Sequence, residues 1–160
     1  MTIEDFKGLM DAFEPSALLP ELDSIMGVLE FAMEIVVLAG PVVLLVLGLL
    51  YLFAAPKEAN YYLGYRCYFG MGSIEAWRFT QRLAGIVWSA LGILLTVIMA
   101  IISTGFDGKD TAQVISTAMT CIIWEVVLAA VSSVAINTIV ALNFDSHGEL
   151  RKKQPEESTL

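Results

Sequence analysis

Ile35-Val-Val-Leu-Ala-Gly-Pro-Val-Val-Leu-Leu-Val-Leu-Gly-Leu-Leu-Tyr-Leu-Phe-Ala-Ala55 contains no charged residue. Roughly 20 such residues cross a hydrocarbon core of about 30 Å as a helix. Two further segments read the same way. Leu83 to Phe106 is uncharged, and Thr111 to Phe144 carries only Glu125. Across the 160 residues 57% are hydrophobic and 16% charged, where a soluble domain has about a quarter charged. Mean hydropathy is +0.72. These observations define an all-α fold, an integral membrane three-helix bundle. An N-terminal amphipathic helix is expected before it, and the second and third helices are expected to extend into the cytoplasm.

Charge sets the expected orientation. Lys57, Arg66, Arg78 and Arg82 lie between the first two spans, and Arg151, Lys152 and Lys153 follow the third. Only Lys7 and Lys109 fall on the other side. The positive-inside rule therefore puts the Asn60–Arg82 loop and the C-terminus in the cytoplasm of a bacterial cell, with the N-terminus outside. Residues 1–23 hold one Lys and six acids, the reverse of a secretory signal, so the first span is expected to be retained. Cys67 would face a reducing compartment and Cys121 the bilayer, which predicts two free thiols.

In residues 1–14, Ile3, Phe6, Met10 and Phe13 recur at helical spacing among Glu4, Asp5, Lys7 and Asp11. Pro15 and Pro20 are expected to end this extracytoplasmic amphipathic helix, which with its link makes up residues 1–23. The membrane domain then runs over 24–153, with the first span starting near Ser24 or Ile25. Glu30 and Glu34 sit one turn apart at the outer interface. They read either as a water-facing pair or as a contact for an outside cation or peptide. Gly40-Pro41 predicts a kink, and Phe53-Ala-Ala-Pro56 ends the helix. Residues 154–160 read as a disordered tail.

Between the first two spans stand Tyr61, Tyr62, Tyr65, Tyr68, Trp77 and three arginines, far more than a connector needs. Ser73 is a good N-cap for the second helix, and Glu75 in its first turn suits the dipole. Gly85, Ser89, Gly92 and Thr96 form a small-residue stripe that lets another helix approach closely. A short outer turn from Ser103 to Asp110 pairs helices two and three so that residue numbers sum to about 214. That register sets Asn137 near Trp77 and Arg78, Ser132 near Arg82, and Asp145 near Phe69–Gly72. It also sets Glu125 beside Ser89 and Trp88. There the carboxyl is either a protonated group bonded to Ser89 or Thr120, or a proton- or cation-coupled site.

Catalytic chemistry is not visible. The chain has one histidine, His147, and no Cys/His cluster for a metal, and neither a phosphate loop nor a dinucleotide fingerprint appears. No cofactor, no metal and no nucleic-acid partner are expected, and no enzyme activity. The expected partners are the lipid bilayer, a protein or peptide, and further copies or subunits in an oligomer.

Leu63-Gly-Tyr-Arg-Cys followed by Met71-Gly-Ser-Ile-Glu-Ala-Trp-Arg-Phe resembles the signature of SdpI-type membrane proteins. In these a Gly-Tyr-Arg-Thr is followed by Ser-Met and then Glu-x-Trp. Asn143-Phe-Asp-Ser-His-Gly-Glu-Leu-Arg-Lys is similar to the Phe-Asp-x-x-Gly-x-x-Arg-Lys ending after that family's last helix. The resemblance covers about residues 35–153, with Cys67 in place of the usual Thr and Gly70 in place of the usual Ser. It implies immunity to a secreted antimicrobial peptide, with signalling through the cytoplasmic side. The residues carried over as an interaction motif are Gly64, Tyr65, Arg66, Ser73, Glu75, Trp77, Arg78, Asp145, Gly148 and Arg151. Gly64 is expected to make a tight turn, Tyr65 and Trp77 to anchor at the interface, and Arg66 to bridge Glu75 or Asp145 or bind a phosphate. Glu75 is expected to cap its helix or pair with Arg78. Two other readings stay open: a subunit of a larger membrane complex, and a small proton- or ion-coupled transporter using Glu125.

Overall fold

A computed structural model describes residues 19–151, apart from residues 61 and 107 and the side chains of 19–23. Helix α1 spans Leu19–Phe53, α2 Ile74–Ser103 and α3 Thr111–Asn143, with a 3-10 turn at Phe69–Met71. At 1.5 Å per residue the 35-, 30- and 33-residue helices are about 52, 45 and 50 Å long, each longer than the hydrocarbon core. Large apolar side chains are exposed along all three, among them Val28, Phe31, Ile101, Val126, Val131 and Leu142. Water would not tolerate that surface, whereas lipid tails match it. The molecule is a three-helix membrane bundle. The expected amphipathic helix of residues 1–14 and the tail of 154–160 lie outside the described residues.

The first span runs Ser24–Phe53, starting where expected. The helix that carries it begins earlier, at Leu19, with Pro20 in its first turn. A proline there loses no hydrogen bond, because first-turn amides have no intrahelical partner. Pro20 therefore opens the spanning helix. Further along, α1 continues without a break through Pro41.

Helices α1 and α2 form the closest pair. A Cβ on Gly92 would press on Leu45, one on Gly85 on Leu52, and one on Gly48 on the Ser89 backbone and hydroxyl. These contacts keep one antiparallel register along the pair. The small-residue stripe is thus occupied by α1 of the same chain, since only glycine lets the two backbones come so near.

Helix α3 sits differently from its expected register. Trp88 bonds Ser132, Phe79 stacks on Phe144, and Ser73 meets Gly148. These pairs lie about six residues, or ~9 Å, from the expected alignment. The turn after α2 is the cause. Phe106 folds inward, 1% exposed, into a cluster with Met99, Val114 and Ala118, so α3 starts beyond the end of α2 rather than level with it. A second cluster, at the opposite end, joins Tyr65, Ala76, Ala84, Ile136, Val140 and Phe144.

Candidate functional site

The second cluster is the floor of a head built from the 54–73 loop, the start of α2 and the segment after α3. Ser73 is the N-cap of α2. Its Oγ accepts from the Ala76 amide at 3.1 Å and donates to the Gly148 carbonyl at 2.6 Å. One side chain therefore both starts a helix and holds the distant C-terminal segment. Gly148 has φ +75°, and a Cβ there would strike the Ser73 backbone. Only glycine fits both requirements.

The C-terminal segment is a closed loop. Phe144 and Leu150 form an antiparallel bridge, and the Arg151 amide donates to the Asn143 carbonyl at 2.8 Å. Inside the loop the Asp145 carboxylate accepts from the His147 and Glu149 amides, each at 2.9 Å. Those backbone donors, Glu149 first, hold the Asp145 carboxyl below its usual range, with His147 and Arg151 adding to the effect. The Arg151 Nε donates to the Phe144 carbonyl at 3.1 Å.

Gly64 makes the expected tight turn, with φ +119°. A Cβ on it would meet the Trp77 ring and the Gln81 oxygen. The turn folds Tyr65 back onto α2, where Gln81 receives it. The Tyr65 amide donates to Gln81 Oε1 and Gln81 Nε2 donates to the Tyr65 carbonyl, both at 2.7 Å. The Tyr65 hydroxyl lies 3.1 Å from the Ser133 carbonyl and 3.0 Å from Asn137 Oδ1, so the loop is fastened to α3 as well. Burial pushes the phenol above its ordinary value and keeps it a donor. The Tyr65 ring meets Trp88 edge-on at 5.3 Å and Tyr51 at 6.3 Å, one aromatic from each of α2 and α1.

The expectation that Tyr65 and Trp77 are interface anchors is corrected here. Trp77 is fully buried and Tyr65 8% exposed, because the Gly64 turn closes over both. Trp77 Nε1 donates to the Pro56 carbonyl at 2.8 Å, tying the end of α1 to α2. Asn137 meets Tyr65 rather than Trp77 or Arg78, and Ser132 meets Trp88 rather than Arg82. Arg66, Glu75 and Arg78 are exposed. Glu75 lies in the first turn of α2, and among the described residues no ion pair joins it to Arg78. A recess of about 440 Å3 beside α1 brings Lys57, Arg78 and Arg82 together, giving the head one basic wall.

Gln81 is the residue that sequence reasoning missed. An uncharged amide between Arg78 and Arg82, at the edge of an apolar run, is the signal that was available. The two departures from the family pattern, Cys67 and Gly70, lie side by side. A Cβ on Gly70 would lie 2.8 Å from the Cys67 sulfur and strike Thr80, so a larger residue at 70 has no room beside this thiol. Cys67 and Cys121 are both free.

Elsewhere, Glu30 and Glu34 are half-buried, and Glu30 shares a recess with Lys109 and Asp110 at the opposite end of the bundle. Glu125 is 8% exposed and its carboxyl stands against Gly40 of α1. It makes no bond to Ser89 or Thr120. Ser89 Oγ has no partner, and the Thr120 hydroxyl donates to the Ser116 carbonyl. Gly40 and Gly48, which face Glu125 and Ser89, are eight residues apart, or about 12 Å along α1. The shifted register of α3 is what separates the two polar groups.

Three apolar helices capped by an interlocked loop and tail define a multi-pass helical membrane protein with a structured head at one end. Residues 56–141 match the model of the SdpI/YfhL protein family, and the chain belongs to that family. The match takes in the loop, α2 and most of α3, and leaves out α1 and the Phe144–Arg151 loop. No curated protein sequence matches the chain, and no solved structure matches it.

Proposed function

We propose that this protein senses, or protects against, an extracellular antimicrobial peptide and reports through the motif-bearing head. The family match over residues 56–141 carries the reading. The head adds physical support. Buried Tyr65, Trp77 and Gly148, with half-buried Gly64 and Ser73, hold the head together, while Arg66, Glu75 and Arg78 stand on its surface. A surface presented by a fixed scaffold suits recognition of a partner protein. The head faces the cytoplasm of a bacterial cell in this reading, on the strength of the basic residues clustered at that end. The chain acts by binding, without an enzymatic step.

The test is protection of cells that express the protein against secreted antimicrobial peptides. Arg78→Ala changes an exposed side chain and should abolish or strongly reduce protection while the protein inserts at normal levels. Full protection by that variant would count against the reading. For orientation, a cysteine placed at Tyr62 should resist a membrane-impermeant thiol reagent in intact cells and react after lysis.

Membership of a larger complex is a second reading, and it loses one argument. The Gly85/Ser89/Gly92 stripe that would have met a partner is filled by α1. A partner would instead meet the broad apolar faces of the bundle.

A further inference from the structure

Below the head, between α1 and α3, lies a cavity of about 420 Å3. Its wall is almost wholly apolar, with Leu44, Leu47 and Leu95 prominent, and it holds one acidic group, Glu125. Glu125 is more than nine-tenths buried, and its Oε1 has no hydrogen-bond partner. The indole of Trp88 lines the same space. A carboxyl enclosed among hydrocarbon with no protein partner is expensive, and such groups mark binding sites.

The chemistry of the wall narrows the occupant. A hydrated metal ion needs about six oxygen ligands. Here the side-chain oxygens are those of Glu125 and Ser133, and the described residues hold no cluster of metal-ligating side chains. The cavity asks for one positive charge at Glu125 and hydrocarbon or aromatic surface everywhere else. Val36, Val43 and Val126 line the cavity and are also exposed on the lipid-facing surface, so entry is from the bilayer. The volume lies within the range of drug-sized ligands.

We propose that this cavity is a binding site for a lipophilic monovalent organic cation, entering from the lipid phase, with the Glu125 carboxylate as its counter-ion. The site is independent of the head and of the peptide-sensing reading. An unpaired carboxylate is costly among hydrocarbon, so the group is paired with either a proton or the cation. When the cation enters, that proton leaves to water and the charge stays balanced. Protons therefore compete with the cation, and binding weakens as pH falls. The groups around Glu125 make the competition simple. Gly40 and Pro41 face it from α1, Leu95 from α2, and Cys121 lies one turn away on α3. The next acid on α1 is Glu34, about 9 Å along the axis from Gly40, and the nearest basic residue of α2 is Arg82, about 20 Å from Leu95.

The experiment measures tetraphenylphosphonium binding to the full chain in nanodiscs, against empty nanodiscs and against tetraphenylborate, which has the same shape and the opposite charge. One saturable site per chain is expected for the cation and none for the anion, with a proton released to the medium on binding. Glu125→Gln should weaken the cation by at least tenfold and abolish the proton release. Ala129→Leu, which fills the cavity and leaves the carboxyl in place, should also weaken it. Circular dichroism and monodispersity establish that each variant is folded. Equal binding by wild type and folded Glu125→Gln, equal binding of cation and anion, or no binding above empty nanodiscs would each overturn the proposal. Should Glu125→Gln not fold, undiminished binding by folded Ala129→Leu would do so.

Discussion

Gln81 and Tyr65 exchange two hydrogen bonds, the amide of one side chain pairing with both backbone groups of the other residue at 2.7 Å each. The pairing is that of a β-ladder, made by a helix side chain for a loop with no strand beside it. It satisfies both polar backbone groups of a residue that is itself almost fully buried. The rest of the head is organised around that point.

Gln81→Leu keeps the volume and leaves the Tyr65 N–H and C=O without partners. Each of the two orphaned groups costs about 1–3 kcal/mol, so the loss expected is about 2–6 kcal/mol. Thermal unfolding in detergent gives the size of the effect. Limited proteolysis should show cleavage in the 57–70 loop well before the helices open.

Two glycines share a left-handed backbone and differ in surroundings. Gly108 has φ +72° with open space around it, whereas Gly148 has φ +75° and touches the Ser73 backbone. Gly108→Ala should cost about 1 kcal/mol from conformation alone. Gly148→Ala should cost at least about twice as much and release the segment after α3, read as faster amide exchange at His147 and Glu149.

A cysteine pair at Trp88 and Ser132 should crosslink readily with a short bismaleimide in a background lacking Cys67 and Cys121, because those side chains meet across α2 and α3. A pair at Arg78 and Asn137 should not, since Asn137 is engaged with Tyr65. The reverse result would restore the register that loop length alone suggests.

The Asp145 loop gives a pH dependence. Its carboxyl is held below the usual value near 4, so ionisation favours the closed loop. That contribution is complete above the unfolded value and is lost as pH falls through the depressed one. Amide exchange at His147 and Glu149 should be slow and pH-independent in excess of its chemical rate from pH 5 to 8, and accelerate only well below pH 4. Asp145→Ala should make the loop open at every pH.

Much of the head could be read in the sequence. Ser73 announces a helix start through its residue type and Glu75 two positions later, and Gly64 a turn. The tail was also expected to meet the loop, and it does so through Gly148 and Ser73 rather than through Asp145. What could not be read was which residues are enclosed. Tyr65 and Trp77 look like interface aromatics because their chemistry suits that place. Burial follows from the Gly64 turn and the Gln81 clamp, which join residues 16 apart in sequence.

The sequence by itself determined three spans, the end of the bundle that carries the motif, and the close approach that small residues on α2 allow. Only the tertiary structure decided that α1 fills that stripe, that α3 is displaced by about two turns, and that Glu125 faces a cavity instead of Ser89. In water, the apolar face of a helix points to its neighbours and periodicity reveals the packing. In lipid every face is apolar, so the pattern that announces a span is silent about which side meets a partner. That choice falls to glycine contacts and to a few buried polar groups, which declare their partners only once the chain is folded.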